Sequence, residues 1–86
     1  MVTTKTHRIN QLIAVCVKKE MTPKHNGFCD YIVRVCATYY AVEKRTAKKY
    51  VHVLIESFRF DKWKSLIQNN NFLSEEEKAE WIRKHL

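Results

Sequence analysis

One glycine, Gly27, and one proline, Pro23, stand in a chain of 86 residues. That scarcity constrains the fold more than any other feature. A sandwich or barrel needs many tight turns, and those turns draw on Gly, Asn-Gly and Pro for backbone angles that other residues resist. Helices joined by short polar connections need far fewer. The expected fold is therefore all-α. The length makes one domain, residues 1–86, because two independent cores would not fit. Apolar residues at 45% and aromatics at 12% suffice for one small core and exceed what a disordered chain carries.

Apolar spacing divides the chain into a compact bundle of about five helices. The first is expected over 6–20, with Ile9, Leu12, Ile13 and Cys16 at i, i+3, i+4 and i+7. Pro23 and Asn26-Gly27 break the chain. The second helix spans 28–40 and offers Phe28, Ile32, Val35, Cys36 and Tyr39 or Tyr40 to the core. A short polar step over 42–44 leads to a third helix at about 45–58. A fourth is expected over 61–68 with Asp61 as N-cap, ended by Asn69-Asn70-Asn71. The start of the last helix is the best marked. Ser74-Glu75-Glu76-Glu77 is a capping box, in which the Ser hydroxyl and the Glu77 carboxylate each satisfy an orphan amide. Glu75 to Glu77 at one end and Arg83 and Lys84 at the other suit the helix dipole. Its apolar residues are Ala79, Trp81, Ile82 and Leu86.

The formal net charge is +7, which points to a polyanionic partner, nucleic acid or an anionic membrane surface. The excess is not spread evenly. Residues 1–59 hold 11 Lys and Arg against 4 Asp and Glu, whereas residues 60–86 hold 5 of each. The chain is thus expected to have a basic part, 1–59, and a neutral C-terminal part, 60–86, used for packing or dimerisation.

Other chemistry is poorly supplied. Cys16, Cys29 and Cys36 are odd in number and form no C-x-x-C pair, so neither a disulfide framework nor a zinc ribbon is expected. Each sits among apolar neighbours, where a free Cys packs as a small hydrophobe. His7, His25, His52 and His85 are scattered, and no metal site or cofactor is expected. No Ser/His/Asp or Cys/His constellation, phosphate-cradling Gly loop or pair of carboxylates in an apolar setting stands out, so the chain does not read as an enzyme. There is no signal peptide and no apolar run of spanning length, and the expected location is the cytoplasm, without membrane attachment.

The third helix carries the functional argument. Ala47, Tyr50, Val51, Leu54 and Phe58 form a continuous apolar stripe, while Arg45, Lys48, Lys49, His52 and Glu56 share a second face. The first three place fixed positive charge over the opening turns, and His52 adds a donor that can also charge. Such a face is an ordinary solvated surface or a major-groove reader, since the groove admits a helix, phosphates flank it, and Arg or Lys reaches guanine edges. Its surroundings favour the reader. Ala37-x3-Ala41-Val42-x3-Thr46-Ala47-x2-Tyr50 has the spacing of a helix-turn-helix, with Cys36, Ala37, Tyr40, Val42, Ala47 and Tyr50 at the inward positions.

The stretch Tyr39-Tyr40-Ala41-Val42-Glu43-Lys44-Arg45-Thr46-Ala47-Lys48-Lys49-Tyr50-Val51 resembles the helix-turn-helix of small archaeal DNA-binding proteins, which include regulators and proteins of archaeal plasmids and viruses. The resemblance covers about a quarter of the chain. It implies binding of double-stranded DNA, in transcription regulation or in plasmid or virus maintenance, with Lys44, Arg45, Lys48, Lys49 and His52 facing the groove. Tyr39 is a candidate for a phosphate contact, and Lys18, Lys19 and Lys24 either extend the footprint or are plain surface. Two positions depart from the family pattern. Ala41 stands where Gly is usual, so a left-handed turn carries a Cβ penalty and a helical or altered turn is expected. Glu43 stands at the usual Ser or Thr N-cap, where it suits the dipole and repels phosphate. The segment after Phe58 lacks a strand-Gly-strand wing, so the domain is expected to be wingless.

A single module of this size buries little DNA, and a homodimer on two half-sites is expected. Trp63, Ile67, Trp81 and Ile82 are candidates for core packing or for a dimer or partner interface, with base stacking by the tryptophans as the other option. If these four formed an exposed apolar patch, the chain would instead read as an accessory subunit of a larger nucleic-acid-processing complex, acting mainly through protein contacts.

Overall fold

A computed structural model describes residues 4–85. They form α1 (Thr4–Lys18), α2 (Phe28–Tyr40), α3 (Lys44–Arg59), α4 (Trp63–Gln68) and α5 (Glu75–His85), with no strand among the described residues. The small all-α bundle expected from the sequence is the fold observed, and α4 rather than a wing follows α3. Leu86, expected to serve the last helix, lies outside the described residues.

The apolar spacing of α1 works as expected. Ile9, Leu12, Ile13 and Cys16 are buried, joined by Ala14 and Val17. This wide apolar face lets α1 serve as the common support, touching α3, α4 and α5. α2 packs chiefly on α3, burying Phe28, Ile32 and Cys36 against the α3 stripe of Ala47, Tyr50, Val51 and Leu54. Burial pushes the Cys16 thiol up to about 12 and raises that of Cys36, so both stay neutral core residues. Cys29 departs from expectation and is exposed.

Several helix ends are closed by backbone geometry in place of Gly. After α1, Glu20 adopts φ 54°, its N–H reaches the Val17 carbonyl at 3.2 Å, and the Met21 N–H reaches that of Cys16 at 2.9 Å. This is a Schellman ending with Glu at the left-handed position. The same pattern corrects the expected role of Asp61. It is not the N-cap of α4: Asp61 adopts φ 58° and closes α3, with its N–H on the Phe58 carbonyl and the Lys62 N–H on Ser57 at 2.7 Å. α4 consequently starts two residues later than expected, with Lys62 before it. Asp tolerates the left-handed region better than most residues. The break before α2 is itself hydrogen bonded. The Thr22 N–H donates to His25 Nδ1 (3.0 Å) and the His25 N–H to the Thr22 carbonyl (3.0 Å), and Gly27 at φ 80° then turns the chain into α2.

The C-terminal helices lock onto this frame. The capping box forms as expected: the Ser74 N–H donates to Glu77 Oε1 (3.0 Å) and the Glu77 N–H to Ser74 Oγ (3.1 Å). Asn70 is fully buried between α4 and α5, where its Nδ2 donates to the Asn10 carbonyl of α1 (2.8 Å) and its Oδ1 accepts the Phe72 N–H (2.8 Å).

Trp63, Ile67 and Trp81 belong to the same core, at 1%, 0% and 8% exposure, with Ile82 half-buried at its edge. Trp63 Nε1 donates to the Leu54 carbonyl at 3.0 Å, and its ring meets Phe58 edge-on at 5.2 Å. Trp81 stacks on His85 at 4.4 Å. These four residues therefore present no exposed apolar patch to a second copy or another protein, and the two indoles are not a free stacking platform. Packing of α4 and α5 against α1 takes up the surface that the sequence left open.

Candidate nucleic-acid interface

The helix pair α2–α3 is joined by residues 41–43. Ala41 adopts φ 51° and ψ 38°, a left-handed conformation, so the expected helical or altered turn is corrected. The Cβ penalty there is on the order of 1–2 kcal/mol, and the close packing of α2 on α3 outweighs it. The turn ends α2 without glycine. Glu43 precedes α3 in an extended conformation and makes no side-chain cap, its carbonyl accepting the Ala47 N–H at 3.0 Å. Of the six inward positions expected, Cys36, Ala47 and Tyr50 are buried and Tyr40 and Val42 half-buried, but Ala37 is exposed. Cys36 beside it is the small side chain that is buried.

A polar cluster from α1 holds the hairpin. The Arg8 guanidinium lies over the Tyr40 ring, 4.7 Å from its centre, and donates to Tyr50 Oη at 3.1 Å. The Tyr40 hydroxyl donates to Gln11 Oε1 at 2.7 Å, and the Tyr40 and Tyr50 rings meet edge-on at 6.5 Å. Burial raises the Tyr40 phenol, keeping it a donor. One side chain thus ties α1 to the end of α2 and the middle of α3, which sets the orientation of α3. Arg8 and Gln11 were not singled out by sequence. Their only signal is an i, i+3 polar pair beside the apolar stripe of α1.

On the opposite side of α3, Lys44, Arg45, Lys48, Lys49 and His52 are all exposed. At about 100° of turn per residue, the last four share one face pointing away from the buried stripe. Arg45, Lys48, Lys49 and His52 line a shallow depression with Val53 of α3 and Lys5 of α1. Lys44 stands at the first turn, outside that lining. Tyr39 is 77% exposed but lies elsewhere, over a groove formed with Gln11, Val15, Val35 and Tyr40 between α1 and α2. Lys5 was also missed by sequence, because it is forty residues before its neighbours in the site. His52 Nε2 lies 3.5 Å from Glu56 Oε1, so the positive face fades by the fourth turn of α3.

The rest of the surface is electrically mixed. The cleft between the end of α1 and α5 is lined by Lys18, Lys84, Glu20, Glu77 and Glu80 over a floor of Val17 and Trp81. Lys84 bridges to Glu20 at 2.6 Å and to Glu80 at 3.6 Å. These partners hold Glu20 and Glu80 below the usual carboxylate range, with Arg83 the larger influence on Glu80. Among the described residues no group of three or more His, Cys, Asp or Glu is placed to hold a metal ion, and no helix is long and apolar enough to cross a membrane.

The arrangement can therefore do one thing well: present several fixed cations, on a rigidly held helix, to a polyanion. Comparison with family models, with curated proteins and with solved structures finds no match for this chain.

Proposed function

We propose that this protein binds double-stranded DNA by laying α3 in the major groove. One observation carries the proposal: Arg45, Lys48, Lys49 and His52 project together from the side of α3 opposite its core stripe, and among the described residues Arg45, Lys48 and Lys49 make no ion pair, while His52 lies 3.5 Å from Glu56. A helix about 10–12 Å across with its side chains matches a major groove of about 12 Å. In this pose Arg45, near the outermost line of α3, is the candidate for a base edge. Lys44, Lys48 and Lys49 meet flanking phosphates, and α2 crosses the backbone.

The role proposed is that of a cytoplasmic regulator of transcription, or a plasmid or virus maintenance factor, working as a homodimer on paired half-sites. The accessory-subunit alternative needed an exposed patch of Trp63, Ile67, Trp81 and Ile82. Burial of the first three and half-burial of the fourth remove that support.

The test is fluorescence anisotropy on labelled duplexes over a salt series. Binding should weaken steeply with ionic strength, and the K48A/K49A double variant should flatten the log–log slope by about two. Absence of duplex binding at low salt refutes the proposal. In-vitro selection of bound duplexes then reports sequence preference and symmetry.

A further inference from the structure

We infer that the DNA-contacting surface extends beyond α3 onto the first turn of α1, where Lys5 takes a backbone phosphate of the strand flanking the groove; this rests on the duplex-binding reading above. The depression that Lys5 shares with Arg45, Lys48, Lys49, His52 and Val53 draws cations from two helices and has no carboxylate in its lining. In that respect it differs from the cleft on α5, where Glu20, Glu77 and Glu80 balance the lysines. Glu56, on the same face of α3 one turn past His52, lies outside this lining with its Oε1 3.5 Å from His52 Nε2.

The position of Lys5 also decides its role. It meets α3 along the Lys49 and Val53 edge, and the same edge continues past Lys5 into a groove lined by Ile9, Asn10, Ser57 and Leu66. Arg45 and His52 sit further round the helix, near its outermost line, with Lys48 beyond them on the other flank. With α3 in the groove, Lys5 therefore stands outside the helix on one flank, where a phosphate strand passes and no base edge is in reach. Phosphate contacts fix register and carry no sequence information directly. Lys5 is accordingly a sequence-independent anchor that sets the tilt of α3 in the groove.

The experiment compares wild type, K5A, K64A and K48A/K49A by anisotropy on one selected duplex and one unrelated duplex, from low salt to 1 M. Lys64 is exposed on α4 and removes the same formal charge away from the depression. K5A should bind both duplexes about tenfold more weakly near 0.1 M salt, the gap closing toward 1 M, with a slope lower by about one and an unchanged ratio between duplexes. K64A should stay near wild type. Ethylation interference should show one phosphate whose modification weakens wild type but not K5A. If K5A matches K64A while K48A/K49A loses slope, the Lys5 contact is refuted and the α3 reading stands. If K5A changes the ratio between duplexes, its sequence-independent role is refuted. If wild type does not bind duplex at all, both fail together. Far-ultraviolet circular dichroism of K5A checks that α1 is intact.

Discussion

Asn70 offers the sharpest test of how this small bundle is held. Its side chain is fully buried and joins the backbone of α1 to that of the α4–α5 connection, donating to the Asn10 carbonyl and accepting from the Phe72 amide, both at 2.8 Å. Asn70→Ala removes both partners and leaves a small void. Losing two such hydrogen bonds, at about 0.5–1.5 kcal/mol each, is expected to cost about 1–3 kcal/mol, against a total stability of about 5–15 kcal/mol for a domain. At about 4–8 °C per kcal/mol for a chain this size, the midpoint should fall by tens of degrees at the upper end. Asn70→Asp is nearly isosteric but sets a carboxylate oxygen against the Asn10 carbonyl. Burial and that carbonyl both favour the neutral acid, raising its folded pKa above the unfolded value of about 3.9. The folded state then binds more protons than the unfolded one between those two values, so stability falls as pH rises through that window. Below it, the neutral carboxyl donates to Asn10 and the deficit against wild type is smallest. Above it the deficit is full. Denaturant titrations followed by the buried Trp63 and Trp81, run at several pH values, read both effects. A loss below about 0.5 kcal/mol for Asn70→Ala, or an Asn70→Asp deficit that ignores pH, would refute the assigned contacts.

Ala41→Gly relieves a Cβ in the left-handed region and should raise stability by about 0.5–1 kcal/mol after the extra freedom of the unfolded chain is counted; a shift of the urea midpoint at constant slope measures it. Ser74→Ala opens the capping box of α5 and should cost about 1 kcal/mol in the same titration. The Ser74 backbone amide holds Glu77 below 4.5, the ordinary carboxylate value. Its contribution is therefore present above that value and lost as pH falls through the lower folded one. Trp81 fluorescence between pH 5 and 2 should show α5 loosening in that window, and Glu77→Gln should flatten the change. Lys48→Ala and Lys49→Ala, both on the solvent side of α3, should leave stability within about 0.5 kcal/mol of wild type while weakening duplex binding.

Much of this architecture is legible along the chain because it is local. The 28–40 span of α2 follows from Gly27 before it and from its own apolar spacing, and the capping box needs only residues three apart. The two faces of α3 follow from one periodicity. The parts that sequence does not carry are those set by which helix meets which face. Trp63 and Trp81 have the composition of an interface and of a core alike, and only α1 crossing α4 and α5 decides for the core. Ala37 has the right size and spacing for an inward position, yet Cys36 beside it is buried and Ala37 is turned out. Asp61 looks like a helix start because Asp favours N-caps, but the same short polar side chain tolerates the left-handed turn that ends α3. Arg8 and Lys5 meet α3 only after the chain has folded back on itself.

The charges along α3 also limit how it can be used. Glu43 stands before its first turn and Glu56 in its fourth, the latter drawn to His52 at 3.5 Å. Between them lie Lys44, Arg45, Lys48, Lys49 and His52, with no acid among residues 44–55. A polyanion is therefore attracted to the first two to three turns and repelled at both ends, which favours entry by the N-terminal half of the helix over a lengthwise fit. Two or three turns reach few base edges, and each good pair discriminates by about 1–3 kcal/mol. On the proposed function, selectivity must then come from repeating the module along the duplex. The tryptophans and Ile67 are already spent in the core, so the second copy is positioned more by the spacing of its own half-site than by an apolar interface.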